Sequence, residues 1–166
     1  MGQVQAGFDI GFAGAVTRSV DDVIVSLRNA GSAEIPFGAP VFISNDRTGV
    51  VGFNTASPQT FDDFVGFAIR VADKTPDSYA DGQFGVKAAG AWKAGDVVEV
   101  LVRGAIALTL ASDGEMKDPI YIRKSDGKLT PFAGESGTTV LLENVKIRRP
   151  RDGSRCCEAV VTERMI

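Results

Sequence analysis

Short apolar runs, separated by glycine and proline, follow one another along most of this chain. The 19 glycines and 7 prolines are spread over the whole length, so almost no segment lacks a turn signal. Long helices are therefore not expected, whereas β-branched runs between turns are typical of strands. The pattern predicts an all-β fold, a short-stranded β-sandwich or barrel that is jelly-roll-like. The expected strands cover residues 23–28, 40–44, 49–53, 97–110, 120–123, 128–130, 140–148 and 155–162.

The strand over residues 97–110 shows the clearest alternation, because Val98, Val100 and Val102 fall on one face. Gly104 interrupts this run. We expect it either to bend the strand or to turn the chain into a new strand two residues later.

Two turns predict hairpins. Asp126-Gly127 lies between two alternating runs, which is a strong hairpin signal. The turn at residues 150–153 separates two longer runs and predicts a C-terminal hairpin.

Residues 61–72 fit two patterns. Apolar residues recur there at helical spacing, yet alternate residues from Val65 to Val71 would also line one side of a strand. Gly66 would cost a helix about 1 kcal/mol relative to alanine. The β-branched content also favours a strand, which we predict.

The first 21 residues differ from the rest, because glycines interrupt their apolar residues without a sustained period. Two interpretations stay open: an irregular strand on the domain's own core, or an arm that packs on a neighbouring subunit. We predict an N-terminal arm over residues 1–21 and a single β-domain over residues 22–166.

The composition excludes several classes of protein. The chain has 166 residues, which is the size of one domain. Its formal charge of −3 disfavours general electrostatic binding to nucleic acid or anionic lipid. It has no histidine, the commonest general base and metal ligand. The sequence predicts no secretory signal and no membrane span. The adjacent Cys156 and Cys157 predict free thiols in a protein made in a reducing cytoplasm.

Other candidate chemistry is weak. The paired carboxylates Asp21-Asp22 and Asp62-Asp63 are interpreted as solvated turn residues, because a general acid and base must face each other across a cleft. The glycine-rich stretches lack a phosphate-binding loop and a dinucleotide fingerprint. We therefore expect no catalytic residue, cofactor or metal.

A basic cluster near the C-terminus is the strongest charge feature. No aromatic residues are interleaved for base stacking, so nucleic-acid binding is disfavoured. We interpret the cluster as a solvated hairpin tip or a contact with an acidic protein partner. Its members are Lys146, Arg148, Arg149, Arg151 and Arg155.

Four phrases, taken in order, resemble the structural cement, or capsid decoration, proteins of tailed bacteriophages. The resemblance covers about residues 7–161 and departs from that family at the basic hairpin and the cysteine pair. The phrases are Glu34-Ile35-Pro36-Phe37-Gly38, Phe64-Val65-Gly66-Phe67, Arg103-Gly104 between two strand-like runs, and Asp118-Pro119-Ile120-Tyr121.

The resemblance implies a non-enzymatic virion protein. It would bind the outer surface of a shell of major capsid proteins and stabilise the head, as a homo-oligomer (dimer or trimer) made in the host cytoplasm. The expected partner contacts are Phe8, Ile10 and Phe12 in the arm, Ile35, Pro36 and Phe37 in the loop, and Arg148, Arg149 and Arg151 at the rim. For the arm and loop residues, filling the domain's own core is an equal alternative.

A second hypothesis is a host- or carbohydrate-binding β-module, such as a head fibre or a receptor-contact protein. Sugar sites usually present Trp or Tyr platforms. The chain is poor in these residues, with Trp92, Tyr79 and Tyr121 alone.

Overall fold

The computed structural model describes residues 10–71, 90–153 and 155–162, with the backbone alone at 18–20. The fold is all-β, as predicted, and its main sheet curls into half a barrel. One turn of 3₁₀ helix lies at Phe61–Asp63. No helix in these residues is long and apolar enough to cross a membrane. The strands are β1 (Val16–Arg28), β2 (Ile35–Pro36), β3 (Pro40–Ile43), β4 (Val50–Gly52), β5 (Phe64–Ala68), β6 (Ala91–Trp92), β7 (Val97–Thr109), β8 (Pro119–Arg123), β9 (Leu129–Thr130), β10 (Thr139–Arg149) and β11 (Cys156–Val161).

The main sheet is organised around β7. Its strand order is β4-β3-β5-β7-β11-β10-β8-β9, and β1 pairs with β7 off this path. Leu101 pairs with both Phe67 of β5 and Ile24 of β1, so these two strands lie on opposite edges of β7. A separate pair of strands, β2 and β6, forms a second small sheet.

Gly104 lies inside β7, which continues through it as one strand of 13 residues. Its φ of 130° is a conformation that other residues rarely adopt. A Cβ atom at this position would lie 2.1 Å from Oδ1 of Asp22 on β1. Glycine therefore permits both the local backbone geometry and the close approach of β1.

The segment at residues 61–72 forms a strand in its central part. After the short 3₁₀ turn, β5 pairs with β3 and β7 and is buried along its whole length. A Cβ on Gly66 would lie 2.1 Å from the carbonyl oxygen of Leu101, so the two backbones meet closely there. The prediction of a strand is confirmed for Phe64–Ala68.

Two clusters of buried hydrophobic residues pack against the main sheet. Phe64 and Leu101 belong to the larger cluster, while their neighbours Val65 and Val100 belong to the other, since successive strand residues point to opposite faces. Burying both faces of β5 and β7 removes much apolar surface from water, which is the main stabilising term in folding.

Both predicted hairpins are confirmed. β8 pairs with β9 across the turn that contains Gly127, whose φ is 70°. β10 pairs with β11 across the turn at residues 150–155. The two cysteines are free and buried, and burial raises the pKa of the Cys157 thiol to about 12, so that this thiol stays protonated.

The strand β1 begins at Val16 and passes through the predicted boundary between residues 21 and 22. Interpreting Asp21 and Asp22 as turn residues is wrong, because both lie in this strand, where Asp21 forms an ion pair with Arg103. Only residues 10–15 of the described N-terminal segment lie outside regular structure. The division into an arm and a domain stays a prediction.

Candidate partner-contact surface

The described part of the N-terminal segment is bound to its own domain. The amide of Ile10 donates a hydrogen bond of 2.7 Å to Oδ2 of Asp152 in the β10–β11 turn. Gly14 donates from its amide to the carbonyl of Ala107 on β7, at 2.8 Å. Its carbonyl accepts from the amide of Arg70, also at 2.8 Å. These contacts join positions that are far apart in sequence and determine where the chain enters the domain.

Arg70 lies between two aromatic rings. Its guanidinium carbon is 4.8 Å from the centre of the Phe12 ring and 5.7 Å from that of Phe37. Both distances lie within the range of a cation–π interaction. Phe12 is half-buried against this cation, and Phe8 lies outside the described residues. Of the two interpretations of the N-terminal segment, residues 10–15 fit the one in which it lies on its own domain.

The loop at residues 35–37 divides between core and surface. Ile35 is fully buried and Phe37 is 6% exposed, whereas Pro36 is exposed. The Phe37 ring packs edge-on against Trp92 at 6.2 Å between centroids. Ile35 and Phe37 therefore fill the domain's own core, which was the alternative for them, and Pro36 presents its ring to solvent.

Asn29 holds the base of this loop, a role that the sequence analysis missed. The side chain is 1% exposed. Its Nδ2 donates to the carbonyls of Ala33 and Lys93, at 3.0 and 3.1 Å, and its Oδ1 accepts from the amide of Gly31 at 3.0 Å. A buried amide with both ends satisfied stabilises a turn without offering a site to a ligand.

The three rim arginines occupy different environments. Nε of Arg151 donates to Oδ1 of Asp113 at 2.6 Å, and Nη1 donates to the carbonyl of Leu110 at 3.0 Å. Arg148 and Arg149 are both exposed, although they are neighbours in one strand. A register shift in the β10–β11 pairing between Ile147 and Arg149 accounts for this, because a bulge redirects side chains.

The aromatic residues favour no sugar-binding site. Trp92 is 4% exposed and its Nε1 donates to the carbonyl of Ile69 at 3.0 Å, so its faces are covered by the core. Tyr121 is half-buried within β8, and Tyr79 lies outside the described residues. In the part of the chain that the structure describes, no group of three or more acidic or cysteine side chains could hold a metal ion.

Comparisons with known proteins identify the class. The chain matches the family model described as structural cement protein (E217 gp24/Pam3 gp6) over residues 2–161, and it belongs to that family. A chain of the solved structure named "The capsid of Myoviridae Phage XM1" has a similar fold. That match has a TM-score of 0.69 and 15% sequence identity, and it covers 98% of this chain and 97% of the other. A search of curated proteins finds no significant match.

Proposed function

We propose that this protein binds the outer surface of the major capsid protein shell of a tailed phage and stabilises the head without catalysing a reaction. Membership of the structural cement family over nearly the whole chain carries the proposal. Burial of both faces of β5 and β7 supports it, since a well-packed sheet can bridge neighbouring subunits as a rigid body.

The mechanism is one of mass action. A protein that binds the assembled lattice, and not its separated subunits, stabilises the lattice by the free energy of that binding. Many copies on one shell act together, so a modest affinity at each contact suffices.

The proposed contacts lie in three parts of the chain. Phe8, Ile10 and Phe12 would contribute from the N-terminal segment, where Ile10 and Phe12 are half-buried, and the exposed Pro36 would contribute from the loop. Arg148 and Arg149 would meet an acidic rim. Ile35, Phe37 and Arg151 would contribute by holding these groups in place, because their own side chains are engaged within the domain.

A homo-oligomer, either a dimer or a trimer, is part of the proposal. Within the described residues, β1 pairs with β7 alone, and we propose that its other edge pairs with a strand of a second copy. Ile24 supports this assignment, being 45% exposed on that strand. The protein would be made in the host cytoplasm and would reside on the outer surface of the virion.

Co-sedimentation tests the proposal. Purified capsid shells lacking this protein are mixed with it, pelleted, and assayed for bound copies per shell subunit. We expect saturable binding at a fixed ratio and shells that withstand higher temperature. Failure to bind, or no gain in shell stability at saturation, would contradict the proposed function.

A further inference from the structure

Lys117 lies beside the basic hairpin, although the chain separates them by about thirty residues. Its amide donates to the carbonyl of Ile147 at 2.7 Å, and the amide of Ile147 donates to the carbonyl of Asp118 at 2.9 Å. Ile147 is buried, while Lys146 and Arg148 on either side of it are exposed. Lys117, Lys146, Arg148 and Arg149 therefore form one exposed group, the basic patch.

The backbone at Lys117 has an unfavourable conformation for a lysine. Its φ is 76°, in the left-handed region that favours glycine. Among the described residues, the non-glycine residues with positive φ are Arg47, Lys117 and Arg155, all of them basic. Residues held in sparsely populated backbone conformations cluster at functional sites, which favours a role for the Lys117 side chain.

The border of the patch indicates the kind of partner. Glu115 and Glu143 are exposed near it, and Asp118 is half-buried with its Oδ2 accepting from the amide of Glu115 at 2.8 Å. Carboxylates of this kind would repel a phosphate backbone, whereas a protein surface can offer both signs of charge. Met116, 61% exposed beside Lys117, is also a residue type enriched in protein interfaces.

We propose that the basic patch docks an acidic segment on the folded surface of the capsid shell protein, with Lys117 as a contact residue. This inference rests on the proposed function and extends its acidic contact to Lys117 and Lys146, which the fold brings beside Arg148. The planar guanidinium group of arginine binds a carboxylate through two parallel hydrogen bonds, whereas a lysine ammonium adds charge without fixed geometry. Such a patch attracts an oppositely charged surface, so that the rate of association rises and depends on salt concentration.

Charge reversal tests the patch. The double variant Lys146→Glu/Arg148→Glu is compared with Lys93→Glu/Lys128→Glu, which makes the same change in net charge at exposed lysines elsewhere. Binding to purified capsid shells lacking this protein is measured from about 0.01 M to about 0.15 M salt, where the screening length falls from about 30 Å to about 8 Å. We expect the patch variant to lose about tenfold in affinity at low salt and most of its salt dependence, and the control to lose little.

Lys117→Gly separates binding from folding. Glycine relieves the left-handed backbone, so resistance to denaturant should stay the same or rise, while affinity for the shells should fall about threefold. Unchanged affinity would remove Lys117 from the patch. A fall in both quantities would instead assign it a structural role.

The remaining outcomes distinguish the two proposals. If the natural protein binds shells and the patch variant binds equally well, the proposed role of the basic patch is wrong and the proposed function stands. If the natural protein does not bind shells, both fail. Competition identifies the partner class: poly-L-glutamate should displace the protein from shells, whereas stronger, patch-dependent displacement by short duplex DNA would overturn the assignment to a protein surface.

Discussion

The two long strands β7 and β10 are built differently. β7 is covered on both faces, with Val100 and Leu101 both fully buried although they point in opposite directions. β10 alternates in its second half, where Val145 and Ile147 are buried and Lys146 and Arg148 are exposed. The centre of the sheet therefore contributes mainly to stability, whereas its flank exposes charged side chains to solvent.

The centre should be intolerant of small changes. Gly66→Ala would place a methyl group 2.1 Å from the backbone oxygen of Leu101, where neither strand can move without separating β5 from β7. We expect the free energy of unfolding to fall by about 3 kcal/mol. Denaturant titration followed by circular dichroism measures it.

Gly153→Ala is the matched control for this substitution. Gly153 lies in the exposed β10–β11 turn, and an added Cβ would meet nothing within 4 Å. Its effect on unfolding should stay within about 0.5 kcal/mol. Equal effects at Gly66 and Gly153 would contradict the distinction between centre and flank.

Loosening the N-terminal segment should lower the free energy of unfolding by an intermediate amount, because the segment contacts the domain mainly through Arg70 and a few hydrogen bonds. Arg70→Leu removes the cation between the rings of Phe12 and Phe37 and should lower the free energy of unfolding by about 1 to 2 kcal/mol. Hydrogen exchange at the amide of Gly14 should accelerate more than exchange in β7. Arg70→Lys keeps the charge and should cause a smaller change in the free energy of unfolding and in the exchange rate of Gly14. Equal acceleration of exchange across the whole sheet would contradict a local role for Arg70.

The β8–β9 turn should show the smallest effect. The Arg123 guanidinium lowers the pKa of Asp126 from 3.8 to about 2, chiefly through a hydrogen bond to its carboxylate. A lowered pKa in the folded state adds stability above pH 3.8 and loses it as pH falls towards 2. Because the pair is solvated, Asp126→Asn should cost less than about 1 kcal/mol at pH 7.

Denaturant titrations of both proteins at pH 7 and near pH 2 measure this effect. The difference between Asp126→Asn and the natural protein should shrink at the lower pH. A difference that stays constant with pH would mean that the carboxylate's charge contributes nothing.

Much of the fold could be predicted because its signals are local. Alternation in residues 97–110 and the Asp126-Gly127 turn indicated β7 and the β8–β9 hairpin without any tertiary information. The start of β1 was missed, since residues 16–22 show no regular apolar period and are held in the strand by pairing with β7.

The sequence by itself determined the all-β class, the turns and the resemblance to a cement protein, because these depend on residue types and short spacings. The tertiary structure alone decided which members of each predicted group face outwards. Arg148 and Arg151 are chemically identical and three residues apart. Only the second meets Asp113 and the carbonyl of Leu110, which are about forty residues away in the chain. Contacts between residues so distant in sequence depend on how the strands pair, and no local pattern encodes them.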